Sequence, residues 1–109
     1  MPRSQPEVDV FSALANPVRR QLLTLLRKGP RPVNELASEF ELGRPAISEH
    51  LQVLRKAQLV REEPRGRERY YHLDPRPLVE VNEWVAAFSH YWKQRLSSLE
   101  KLLDQESRK

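Results

Sequence analysis

The chain has no cysteine, which excludes disulfides, thiolate metal sites and cysteine nucleophiles. No apolar run approaches the roughly 20 residues that cross a bilayer, and no secretory hydrophobic stretch opens the sequence. These absences predict a cytoplasmic protein with no membrane partner. Catalytic arrangements are also missing: there is no nucleophile–base pair, phosphate-cradling loop or paired-carboxylate motif. Glu62 and Glu63, adjacent in a charged segment, read as a solvated surface pair. The three histidines, His50, His72 and His90, are scattered without ligand spacing. The expectation is therefore a non-enzyme with no metal and no cofactor.

What is present fits a single domain of 109 residues, enough for one modest core. The net charge of +4 is unevenly placed. Residues 1–76 hold fourteen Lys/Arg against ten Asp/Glu, whereas residues 77–109 hold five of each. An excess confined to one region is the asymmetry of a surface that meets a polyanion.

Residues 1–7, with two prolines, read as a flexible tail, residues 8–76 as a DNA-binding core and residues 77–104 as a long dimerisation helix. Val8, Phe11, Leu14 and Ala15 fit a short first helix. Asn16-Pro17 then supplies an N-cap and a first helical residue for a second, which Gly29-Pro30 ends. From Val33 to Val60 two amphipathic segments flank Glu41-Leu42-Gly43, where Gly43 is expected to adopt a backbone conformation costly to other residues. In the second segment Ile47, Leu51 and Leu54 form a buried stripe. Pro45, Ser48, Glu49 and Gln52 lie opposite, flanked by Arg44 and Arg55. A narrow apolar face with hydrogen-bonding residues outward suits a helix that reads base edges in the major groove. An ordinary helical hairpin shares that pattern.

Extended segments follow at Leu59-Val60 and Arg69–Leu73. Pro64 and Gly66 between them predict a hairpin turn whose tip bears Arg65 and Arg67. Alternation assigns Tyr71 and Leu73 to the buried face and Tyr70 and His72 to the outer one. The fold class is thus mainly α with a small β-hairpin, a winged helix-turn-helix. From Pro77 onward, Leu78, Val81, Val85, Phe88, Trp92, Leu96, Leu99 and Leu103 step by three or four residues. One continuous helix over that stripe spans about 40 Å, longer than a small winged domain covers with its own core. The stripe predicts a homodimer in which Phe11 of the first helix joins the last helix; a helix folded back on its own domain is the alternative.

Three stretches in order, FSALANPVRRQLLTLL, ELASEFELGRPAISEHLQVLRKAQLV and GRERYYHLDP, resemble the ArsR/SmtB family of bacterial winged-helix repressors over nearly the whole chain. The resemblance implies a dimer built through the first and last helices, with each recognition helix in a major groove of an imperfect palindromic operator. It carries DNA contact to Arg44, Pro45, Ser48, Glu49, His50 and Gln52. Arg44 suits a bidentate contact to guanine and Gln52 one to adenine. His50 borders the core, as a packed or phosphate-facing side chain. Arg65, Arg67 and Arg69 approach phosphate or the minor groove.

Many members of this family sense metals. One family site uses paired cysteines, which are missing here. Another uses an Asp-x-His pair with a distant histidine, but Phe88 stands two residues before His90 and Lys101 eleven after it. With Trp84, Phe88, Tyr91 and Trp92, the last helix instead resembles a metal-independent branch, whose repressors control their own or a neighbouring operon. Trp84, Phe88, Tyr91 and Trp92 either fill an interface or frame a pocket for an apolar small-molecule effector. A protein-interaction module and a metal-responsive repressor with an unrecognised site are the competing functions.

Overall fold

A computed structural model describes residues 6–107 of the chain. Residues 1–5 of the expected tail lie outside the described residues, and Pro6 and Glu7 are exposed. The first helix, α1 (Val10–Leu14), starts at Asp9, whose carboxylate accepts from the backbone of Phe11 and Ser12. The second, α2 (Pro17–Leu26), starts as the sequence predicts. Asn16 Oδ1 accepts from Val18 N at 2.8 Å, and Pro17 needs no partner for the N–H it lacks. Gly29, at φ +133°, carries the chain out of α2 through a region few side chains tolerate.

A two-residue strand, β1 (Arg31–Pro32), leads into α3 (Val33–Ala37) and then α4 (Arg44–Lys56). Strands β2 (Val60–Arg65) and β3 (Glu68–Leu73) form the hairpin, and the antiparallel sheet runs β1-β3-β2. Leu22, Leu36, Ile47, Leu51, Leu54 and Leu59 are fully buried, so the α2, α3 and α4 stripes meet in one core. Tyr71 in β3 joins it at 2% exposure, while Tyr70, His72 and Leu73 are half-buried.

Several expectations need correction. Gly43 lies at φ −69°, ordinary backbone, and acts as the residue before α4 whose carbonyl accepts from Ile47 N at 3.2 Å. Any residue type adopts that φ, so the turn does not depend on glycine for its conformation. Pro64 is not in the hairpin turn: it sits inside β2 opposite Arg69, leaving Gly66 (φ +60°) and Arg67 as the turn. β2 is an edge strand, where a proline can be accommodated without costing an inner ladder bond. β1 adds a third strand that two residues containing proline could not announce as a pattern.

The expected helix from Pro77 is two helices, α5 (Leu78–Ala86) and α6 (Ser89–Ser107). At the break, Ala87 N is shared between the Glu83 and Trp84 carbonyls, and Phe88 N donates to Val85 O, a bond one residue shorter than the α-helical one. Neither proline nor glycine sits there, and nothing in the local sequence accounts for the break. The chain divides into two compact units, one ending at Val79 and the other starting at Glu80. The division follows from burial, because neither α5 nor α6 contains a buried residue. Phe88, Trp92, Leu96, Leu99 and Leu103 are each about half exposed, between 46% and 57%. Val85 is exposed as well, and Leu78 and Val81 are half-buried. Phe11 of α1 is 37% exposed.

Candidate nucleic-acid interface

α4 carries the outward residues that the sequence singles out. Its buried edge is held by Ile47, Leu51 and Leu54, and at about 100° per residue that orientation turns Pro45, Glu49 and Lys56 outward. All three are exposed, as are Arg44 and Arg55, while Ser48 is half-buried. Lys56, missed by the sequence reading, lies seven residues beyond Glu49 and so almost directly above it, a spacing that could have revealed it.

His50 is turned toward α2. Arg19 Nη1 donates to His50 Nδ1 at 3.3 Å, while Arg19 Nε and Nη2 donate to the carbonyls of Ala13 and Ser12 at 2.7 and 3.2 Å. One guanidinium thus ties the end of α1 to the middle of α4, with the His50 ring turned toward it.

Gln52, expected to contact adenine, already has partners within the protein. Its Nε2 donates to Glu62 Oε1 at 2.7 Å and to Tyr71 Oη at 3.2 Å, and its Oε1 accepts from Arg55 Nε at 2.8 Å. Both ends of the amide are therefore occupied within the protein, and a bidentate contact to adenine needs both. Glu62, expected to be solvated, is instead the centre of this network. Tyr71 Oη donates to its Oε1 at 3.0 Å and Arg69 Nη1 to its Oε2 at 3.0 Å, and its side chain is only 20% exposed. The Gln52 bond, helped by Tyr71 and the charges of Arg69 and Arg55, holds the Glu62 carboxyl below its ordinary titration range despite the opposing effect of burial. Burial, with Glu62 beside it, pushes the Tyr71 phenol up.

The arginines of the wing differ in what they already hold. Arg65 Nε lies 2.8 Å from Glu63 Oε1, and its guanidinium stacks 4.2 Å above the Tyr70 ring. His72 Nε2 also lies 2.8 Å from Glu63 Oε1, and these two partners lower the Glu63 pKa. Arg44 and Arg67, by contrast, have no carboxylate partner among the described residues. With Arg69 they line one open hollow of about 250 Å³, bounded by Pro32, Val33, Asn34 and Glu68. The start of α4 and the tip of the hairpin therefore present cations to the same space.

A helix-turn-helix whose second helix is followed by a basic-tipped hairpin defines a winged helix-turn-helix DNA-binding domain. The family described as bacterial regulatory proteins of the arsR family matches residues 16–62. The regulator Rv2034 of Mycobacterium tuberculosis is 38% identical over 96 residues, covering 88% of this chain and 87% of its own. The transcriptional repressor SdpR of Bacillus subtilis is 32% identical over 80 residues, 73% of this chain and 89% of its own. A solved structure of an ArsR family transcriptional regulator, RHA00566, superposes with a TM-score of 0.70 at 33% identity, over 78% of this chain and 93% of that one. The chain belongs to the ArsR family. It is a DNA-binding transcriptional regulator of the ArsR/SmtB repressor type, not an enzyme. Among the described residues no helix is long and apolar enough to cross a membrane.

Proposed function

We propose that this protein represses transcription as a homodimer, with one α4 in each of two successive major grooves of an imperfect palindrome and each wing along the adjoining backbone. Half-sites would then lie about 10 bp apart, and the covered promoter, that of its own or a neighbouring operon, would be closed to polymerase. The observation that carries the reading is the pairing of Arg44 and Arg67, two exposed cations without carboxylate partners among the described residues that flank one hollow. The half-exposed apolar residues of α6, with Phe11 of α1, support a second copy as partner. Aromatics of α5, the break and α6 meet each other edge to face, Trp84 with Phe88 and Tyr91 with Trp92, a packing geometry that supports interface filling over an effector pocket.

The test is to sequence genomic fragments retained by the purified protein, with and without added divalent metals. Enrichment of one palindromic site, unchanged by metal, is expected. On that site Arg44→Ala should cost about 1–3 kcal/mol and relax preference at one base pair. A footprint unchanged in position and affinity would refute the assignment of α4.

A further inference from the structure

Three residues that face the candidate DNA surface, Gln52 and Arg55 of α4 and Arg69 of β3, converge on a single carboxylate. Glu62 Oε1 accepts from Gln52 at 2.7 Å and stands 3.6 Å from Arg55 Nε, while Oε2 accepts from Arg69 at 3.0 Å. Glu62 and Tyr71 are opposite partners in the β2–β3 ladder, and the Tyr71 hydroxyl donates to the same Oε1. Because Tyr71 is 2% exposed, this side of the carboxylate is anchored in the core.

We propose that Glu62 is a specificity-determining positioning residue, which occupies Arg55 and Arg69 in place of DNA phosphate and locks the Gln52 amide so that recognition helix and wing keep one relative setting. Two consequences follow. First, Arg55 and Arg69 meet a phosphate with part of their charge already answered by Glu62, so indiscriminate backbone binding is weakened wherever the fit is poor. Second, the orientation of Gln52 is fixed by three partners, which keeps the α4 surface the same on every encounter. A carboxylate this close to a polyanion opposes binding overall, so its expected contribution is discrimination between sites and not affinity.

This inference rests on the reading of α4 and the wing as the DNA surface. Glu62→Gln keeps the side-chain shape but loses the charge that holds the arginines. It should raise affinity for scrambled duplex about three- to tenfold and steepen its salt slope by about 0.9 for each phosphate that the freed arginines take up. Affinity for the selected site should rise less, so the ratio of specific to non-specific binding falls. Glu39→Gln removes the same charge from a carboxylate 3.7 Å from Arg31 and controls for net charge. Equal effects in both variants, or an unchanged ratio and slope in Glu62→Gln, would overturn the proposal. Should Glu62→Gln fail to fold, Tyr71→Phe releases one anchor without changing charge, and a ratio as high as in the wild type would then overturn it. Failure of the underlying reading is separately visible, because Arg67→Ala would in that case leave every DNA affinity unchanged.

Discussion

Arg67 and Arg65 are both wing-tip arginines, but their different surroundings predict different responses to truncation. Arg67 occupies the turn, exposed and without a carboxylate partner among the described residues. One phosphate contact contributes about −0.9 to the slope of log affinity against log salt, so a dimer bearing two copies of Arg67→Ala should lose about 1.8 from that slope. Across a fourfold rise in salt, from about 50 to 200 mM, those two contacts account for a roughly 12-fold loss that the variant no longer shows. Its deficit relative to wild type should therefore be largest at low salt, shrink by that factor at high salt, and be the same on operator and scrambled duplex. Arg65→Ala should change the slope less. Its guanidinium is already 2.8 Å from Glu63, and Glu63 keeps His72 as a second partner at the same distance. Fluorescence anisotropy on labelled duplexes across that salt range measures both variants. If Arg65→Ala altered the slope as much as Arg67→Ala, or if Arg67→Ala weakened one sequence alone, intramolecular pairing would not govern which arginines reach phosphate.

Phe88→Glu or Leu99→Glu, each placed on the half-exposed apolar stripe, should give monomers in sedimentation velocity and abolish specific binding; a wild-type chain that is monomeric and fully active would refute the dimer. Glu62 makes a prediction about acid. Its folded-state pKa is depressed, so the stability its bonds contribute is fully present above the unfolded carboxylate value and is lost as pH falls through the folded one. Melting temperatures followed downward from about pH 6 to 3 should accordingly decline less steeply in Glu62→Gln than in wild type, and parallel curves would show that the carboxylate is not differentially bonded in the fold.

The parts of the molecule that follow from periodicity were readable in advance. Ile47, Leu51 and Leu54 at helical spacing define both the presence of α4 and the face it buries, and Asn16-Pro17 marks the start of α2 by chemistry local to those residues. What could not be read depends on contacts between residues distant in sequence. Gln52 and Glu62 are ten positions apart and Gln52 and Tyr71 nineteen, and nothing in the chain links them until the sheet register brings β2 and β3 beside α4. The adjacent pair Glu62-Glu63 illustrates the limit: strand alternation sends one carboxylate to Gln52 and Tyr71 and the other to Arg65 and His72. The break at Ala87–Phe88 escaped for another reason, since the apolar stripe continues across it without interruption.

The cations of the recognition helix and the wing are therefore not equally available to DNA. Arg55 and Arg69 answer Glu62, Arg65 answers Glu63, and Arg76 answers Asp74, whose carboxyl its bonds hold below the usual range. Among the described residues Arg44, Lys56 and Arg67 are without such partners, the first two at the ends of the recognition helix and the third at the turn of the wing. A surface with few uncompensated cations has a shallow salt dependence on random sequence, since that slope counts phosphates neutralised. Two copies of such a surface, rather than a broad basic patch on one, are what would give this small domain a useful operator affinity without holding it on the rest of the chromosome.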